Sequence, residues 1–278
     1  MNKKTIVGID DSPGSAVALH WAGRLVTQSG GDLVAVHAFR PPSTGLPLPA
    51  HERLVAERRS EFEKRWTEKV VGAGGQSLIV HDGDPRDVIE ASAEAENASL
   101  VVVGQAGEAG GPGFLHLGSV AEYLAHNLNR PLAVIPASGT DPIKRIIVGV
   151  DGSDSSRAAV EWCASVAKAF DSEVVAVAVE EPFFEWTPAS SPKNWRRDVE
   201  HRVEALTTAL TDAGVPVDVV AQRDLHPANG LLAVASARSG DLLVVGARGA
   251  GGFTGLRVGG VAMKVLHRAN LPLVLVPT

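Results

Sequence analysis

The sequence is poor in cysteine and in aromatic residues. It has one cysteine, Cys163, in 278 residues, and aromatic residues make up 5%. A single cysteine excludes an internal disulfide bond. The sequence also has neither an HExxH nor a CxxC motif, so the nine histidines show no metal-ligand spacing. We therefore expect no structural metal.

Long apolar runs are absent as well. No stretch approaches the roughly 20 residues that a membrane-spanning helix needs. The N-terminal segment MNKKTIVGID has two lysines but no apolar signal-peptide core. The formal net charge of −6 argues against a general nucleic-acid surface. These features predict a soluble cytoplasmic protein with no membrane or nucleic-acid partner.

The sequence contains an internal repeat. Residues 5–10, TIVGID, match residues 146–151, IIVGVD, at an offset of 141 positions. Trp21 and Trp162 recur at the same offset. A fixed offset over a whole half-chain indicates two copies of one domain. We place the domains at residues 1–137 and 143–278, joined by a short linker that contains Ser-Gly-Thr-Asp-Pro.

Each copy alternates apolar, β-branched runs with helical patterns. Short strands that are apolar throughout predict an α/β fold, in which a parallel sheet is covered by helices on both faces. Such a sheet binds its ligand beyond the carboxyl ends of its strands. The strand candidates are Thr5–Ile9, Leu33–Ala38, Leu78–Val80, Leu100–Val103 and Leu132–Ile135 in the first copy, and Ile146–Val150, Val174–Val179, Val217–Val220, Leu242–Val245 and Leu273–Val276 in the second.

The last strand of each copy is bracketed by prolines, at residues 131–136 and 272–277. Proline is typical of edge strands because it cannot donate a backbone hydrogen bond to a neighbour. Two such edges within one chain can pair and bury each other. The pattern therefore predicts an internal pseudo-dimer through the last strands, with a homodimer as a second possibility.

A glycine-rich loop follows the fourth strand of each copy, within residues 100–119 in the first copy and 242–260 in the second. Glycine lets the backbone approach an anion, and a helix N-terminus adds unpaired N–H groups and a favourable dipole. The loops predict two phosphate-binding sites. Their main residues are Gly104, Gly107, Gly118 and Ser119 in the first loop, and Gly246, Arg248, Gly249, Gly259 and Gly260 in the second.

An aspartate closes the first strand of each copy, at Asp10 and Asp151. Each lies where the ligand crevice of a parallel sheet is expected. One interpretation is ligand contact. The alternative is helix capping, a role that Ser12 and Ser153 also suit.

Together these motifs resemble the universal stress protein family in its tandem form. The second half has Gly-x-x-Gly, nine residues and Gly259; the first has the same glycines with ten residues before Gly118. The resemblance implies two Rossmann-like domains, each with five parallel strands, that bind ATP with or without Mg²⁺. It places the triphosphate in the glycine loops, Asp10 and Asp151 near the nucleoside, and the ends of the second strands at adenine. The remaining candidate binding residues are Gly8, Ile9, Ala38, Val103, Val120, Gly149, Val150, Val179 and Val261.

Both halves depart from the family pattern. The first keeps a hydroxyl at Ser119, but its loop has one extra residue, an acid at Glu108 and a proline at Pro112. The second has Gly260 where a hydroxyl is expected, and adds Arg248 and Arg257, which would offset that loss if either reaches the phosphates. On balance we expect the second half to bind more tightly.

The resemblance predicts a nucleotide-dependent regulator of stress adaptation, dormancy or signalling, not an enzyme, with an unknown protein partner. One alternative is an ATPase or nucleotide-transferring enzyme on the same scaffold. Another is an interaction scaffold that no longer binds nucleotide. The aromatic cluster Phe183, Phe184 and Trp186 is interpreted as packing on its own domain, with a lid or a partner surface as the alternative.

Overall fold

A computed structural model describes residues 3–106, 117–139, 142–181, 195–249 and 258–278. Strands and helices alternate through both halves, and the structure has the α/β class expected from the sequence. Within these ranges, no helix combines the length and the apolar character needed to cross a bilayer.

The first half contributes five strands and four helices to the described structure. The strands are β1 (Lys4–Gly8), β2 (Asp32–Phe39), β3 (Ser77–Asp82), β4 (Leu100–Gly104) and β5 (Leu132–Ile135). The helices are α1 (Pro13–Ser29), α2 (Leu48–Gly72), α3 (Pro85–Ala95) and α4 (Ser119–Asn127). Each predicted strand of this half is present, with ends shifted by no more than two residues.

The second half repeats this order with one difference. Its strands are β6 (Arg145–Gly149), β7 (Glu173–Glu180), β8 (Val217–Arg223), β9 (Leu242–Gly246) and β10 (Leu273–Val276). Its helices are α5 (Asp154–Phe170), α6 (Trp195–Leu206), α7 (Thr208–Asp212), α8 (Pro227–Ala237) and α9 (Gly260–Arg268). Where the first half has the single helix α2, the second has two short ones that meet at Thr207. The Thr207 hydroxyl donates to the Glu204 carbonyl (3.1 Å), a local bond that competes with regular helix.

All ten strands form one sheet, in the order β3-β2-β1-β4-β5-β10-β9-β6-β7-β8. Neighbours are parallel within each half, whereas β5 and β10 pair antiparallel, with Val274 opposite Ala133. This is the pairing that the bracketing prolines predict. It makes the chain an internal pseudo-dimer in which the last strand of each half covers the other.

Both faces of the sheet are buried, which explains the uniformly apolar strands. Val7 packs on the face that carries Trp21 and Trp66, while the adjacent Ile6 packs on the opposite face with Ile89 and Leu124. Alternate residues of a strand point to opposite faces, so both sets must be apolar when helices cover both sides.

The β5–β10 seam is expected to support the stability of the whole chain. Val274 is fully buried at this seam, so Val274→Ala should lower the free energy of unfolding by about 2 kcal/mol through lost burial and a residual cavity. Urea unfolding followed by circular dichroism measures this change. The matched control is Val71→Ala on α2, where the side chain is 65% exposed and the change should stay within about 0.5 kcal/mol. Equal effects of the two substitutions would contradict the prediction.

Candidate functional site

The aspartate after β1 is held by the turn that starts α1. Asp10 Oδ1 accepts hydrogen bonds from the Ser12 N–H (3.0 Å) and the Ser15 hydroxyl (2.5 Å). Ser12 is the N-cap of α1, and its side chain accepts from the Ser15 N–H. The capping role therefore belongs to the serine. The Asp10 carboxylate fixes the turn beside the carboxyl end of β1.

The second half repeats this turn. Asp151 Oδ1 accepts from the N–H (2.9 Å) and the hydroxyl (2.6 Å) of Ser153, and Ser153 caps α5. An added Cβ at Gly249 would lie 2.9 Å from Asp151 Oδ2. Gly249 thus lies directly against the carboxylate that is predicted to face the ligand.

Each glycine loop starts in close contact with the first helix of its half. A Cβ at Gly104 would lie 3.1 Å from the carbonyl carbon of Gly14, and one at Gly246 would lie 2.7 Å from that of Ser155. These approaches leave no room for a side chain at either strand end. They bring the loop beside the aspartate turn.

Each loop also returns to its own start. The Gly118 N–H donates to the Gln105 carbonyl, and the Gly259 N–H donates to the Ala247 carbonyl, both at 2.7 Å. Gly118 and Gly259 are the N-caps of α4 and α9, and neither makes a side-chain capping bond. Each helix therefore begins beside the glycine loop of its own half. Within the described residues, no capping side chain accepts from its first-turn N–H groups, which leaves them suited to bind an anion.

A cavity of about 1420 Å³ opens at this edge of the first half. It brings together nine of the predicted residues: Gly8, Ile9, Asp10, Ala38, Val103, Gly104, Gly118, Ser119 and Val120. Gly107, Glu108 and Pro112 lie outside the described residues. Residues from the ends of three strands, β1, β2 and β4, and from the start of α4 therefore share one crevice, as the parallel topology predicts.

In the second half, Gly149, Val150, Asp151 and Val179 occupy the matching strand ends, and Gly259, Gly260 and Val261 lie at the start of α9. The Arg248 guanidinium donates to the Thr278 hydroxyl, so its side chain is engaged there. Arg257 and the cluster Phe183, Phe184 and Trp186 lie outside the described residues. Whether an arginine replaces the missing hydroxyl at Gly260 stays a prediction.

Comparison with known proteins identifies the family. The family model described as "Universal stress protein family" matches residues 1–136 and 142–277. The chain belongs to this family. It is 28% identical to a universal stress protein of Mycolicibacterium smegmatis over 98% of this chain and 96% of the relative, and 29% identical to one of Mycobacterium tuberculosis over 97% and 94%.

The fold of this universal stress protein is also found in a solved structure. A universal stress protein from Archaeoglobus fulgidus superposes with a TM-score of 0.73 and 19% identity, covering 99% of this chain and 98% of that one. This similarity supports the tandem Rossmann-like architecture alone. The roles of individual site residues stay predictions.

Several lining residues of the first cavity were not predicted from the sequence. His37 stacks on Phe62 of α2 (3.6 Å between ring centroids), and its Nδ1 lies 2.9 Å from the Ile9 carbonyl. Burial lowers the pKa of His37, which favours the neutral ring. Arg40 and Arg86 also line the crevice. The sequence could have indicated both residues. Arg40 directly follows β2 and Arg86 lies at the start of α3, so both belong to the edge of the sheet where the carboxyl ends of the strands meet.

Two further carboxylates of this crevice, Asp11 and Asp84, have local partners. Asp11 accepts from Arg65 Nη2 (2.6 Å) and from Trp66 Nε1 (3.0 Å). Asp84, the N-cap of α3, pairs with Arg86 and Arg40. Hydrogen bonding from Arg86, opposed by partial burial, lowers the pKa of Asp84 from 3.8 to about 2. Among the described residues, no group of three or more potential ligands forms a metal site.

The lowered pKa of Asp84 predicts a pH dependence of stability. The ionised carboxylate stabilises the fold above pH 3.8, and this contribution is lost as the pH falls through about 2. Asp84→Asn keeps a capping oxygen and removes the charge. The difference in unfolding free energy between wild type and variant should therefore be constant from neutral pH to about pH 4, and should shrink between about pH 4 and 2. Urea unfolding across this range measures it, and a difference that stays constant to about pH 2 would refute the assignment.

Proposed function

We propose that this universal stress protein is an ATP-binding regulator in the cytoplasm. The observation that carries the proposal is the shared crevice of the first half, where Asp10, the glycine-loop ends and the start of α4 line one cavity. Its shape and chemistry suit a nucleotide, with the phosphates at the loop and the nucleoside across β1 and β2. Binding of ATP in the crevice would then change the order of the glycine loops or of a surface that a partner protein recognises.

Backbone groups supply most of the recognition in this proposal. Gly118 and Gly259 begin their helices without a side-chain cap, so first-turn N–H groups and the helix dipole face the phosphates. Ser119 adds a hydroxyl in the first half, and Gly260 adds none in the second. If Mg²⁺ accompanies ATP, Asp10 and Asp151 are the nearest candidates to hold it.

A regulator is favoured over an enzyme by the surroundings of these carboxylates. Asp10 and Asp151 each accept two hydrogen bonds from nearby serines, which positions them structurally and suits them poorly to deprotonate water. No lysine lines the described part of the first crevice, where a P-loop enzyme would place one near the phosphates. Catalytic function is therefore the second candidate. ADP release over many turnovers that disappears in Asp10→Ala and Asp151→Ala would favour it.

Calorimetry with Mg-ATP on the purified full-length protein tests the proposal. We expect two binding equivalents per chain, and Gly249→Val should remove one of them. The added side chain would meet the Asp151 carboxylate, because a Cβ alone lies 2.9 Å from Oδ2. The control is Gly45→Val, at a glycine whose Cβ would meet nothing within 4 Å. No heat at either site would leave the interaction scaffold as the function, and normal affinity of Gly249→Val would refute the placement of the triphosphate.

Gly260 allows a gain-of-affinity test. A Cβ at this position meets no atom within 4 Å, so Gly260→Ser should fold normally. The new hydroxyl should tighten ATP binding in the second half by about 10-fold, the lower end expected for one hydrogen bond to a charged oxygen at an exposed site. Ser119→Gly is the reciprocal variant and should weaken the first half by a similar factor. Calorimetry measures both, and unchanged affinity in both variants would show that the hydroxyl plays no part.

A further inference from the structure

Two arginines and one aspartate form a cluster at the rim of the first cavity. Arg40 Nη2 lies 2.5 Å from Asp84 Oδ2, while Arg86 places Nε 2.8 Å from Oδ1 and Nη2 3.1 Å from Oδ2. All three residues line the cavity that also contains Asp10 and Ser119. One carboxylate thus holds two guanidinium groups, and the cluster keeps a net positive charge.

The cluster occurs in one half of the repeat only. Arg40 follows β2, and the matching residue after β7 is Glu181. Asp84 and Arg86 flank the first proline of α3, and the residues that flank the first proline of α8 are His226 and Ala228. The second half therefore has Glu181 in place of Arg40 and Ala228 in place of Arg86. A feature confined to one copy is not required by the fold that the copies share.

The position of the cluster relative to the glycine loop follows from the strand order. Arg40 leaves β2 and Asp84 follows β3, whereas the glycine loop leaves β4, with β1 between β2 and β4. Neighbouring strands lie about 4.8 Å apart, so the cluster and the loop are separated by about 10–14 Å along the edge. A nucleoside whose phosphates lie in the loop would extend over β1 and β2 toward the cluster.

We infer that the Arg40–Asp84–Arg86 cluster is a second anion subsite, and that the first half prefers a nucleotide carrying a second phosphate on its ribose. This inference rests on the proposed nucleotide function and specifies the ligand of the same site. Each guanidinium has five N–H donors, and the bonds to Asp84 use only some of them. The remaining donors suit a phosphate, which arginine binds through paired, charge-assisted hydrogen bonds.

Exposure sets the expected size of the effect. The Arg40 and Arg86 side chains are 63% and 45% exposed, so solvent and salt screen their charges. A charged hydrogen bond in such a setting falls at the lower end of its usual range, about a 10-fold change in affinity. The second half, with Glu181 and Ala228 at these positions, should show no such preference.

Calorimetry with AMP, adenosine 3′,5′-bisphosphate, adenosine 2′,5′-bisphosphate and ATP on the full-length protein tests the inference. One of the two sites should bind a bisphosphate about 10-fold more tightly than AMP. Arg40→Glu and Arg86→Ala, which copy the second half, should abolish this preference. The preference is measured as the ratio of bisphosphate to AMP affinity within each variant, so that a general change in nucleotide affinity cancels.

Arg53→Ala is the matched control, since it removes one exposed arginine of α2 that does not line the cavity. It should keep the preference. Equal affinities for AMP and both bisphosphates in a protein that binds ATP would overturn the inference and leave the proposed function intact. Loss of preference in Arg53→Ala would also overturn it. If no nucleotide binds, the proposed function fails and the inference fails with it. Tight binding of a bisphosphate without ATP binding would support the subsite and reject ATP as the ligand.

Discussion

The site depends on the close packing of each fourth strand against the first helix turn of its half. β4 ends at Gly104 against Gly14, and β9 ends at Gly246 against Ser155, at separations that exclude a side chain. This contact starts the glycine loop beside the aspartate turn. The loop then returns through the Gly118 and Gly259 N–H groups to the residue that follows each strand. Backbone donors and carboxylate therefore meet at one place.

The antiparallel seam between β5 and β10 determines how the two sites are related. All strands within a half are parallel, so reversing direction at the seam turns the carboxyl edges of the two halves to opposite edges of the sheet. The two candidate sites therefore face away from each other. A single nucleotide molecule therefore cannot occupy both sites.

The two halves share a backbone fold and differ in the charged side chains around their candidate sites. In the first crevice, Arg65 and Trp66 hold Asp11, and Arg40 and Arg86 hold Asp84. These two carboxylates therefore already have cationic or N–H partners, which would reduce their repulsion of an anionic ligand. In the second half, the Arg248 guanidinium contacts Thr278. Both halves keep the aspartate and the ends of the glycine loop, while the surrounding side chains differ.

The sequence alone determined the repeat, the order of the strands along the chain and the ends of the glycine loops. These features depend on local patterns, namely apolar periodicity, helix caps and glycine spacing, that are written in consecutive residues. It also indicated the pairing of the last strands through their prolines. Only the tertiary structure placed His37 on Phe62 and joined Arg40 to Asp84, because these contacts connect residues 25 or more positions apart in different elements. Such contacts depend on how helices pack across a strand edge, and no single segment encodes that packing.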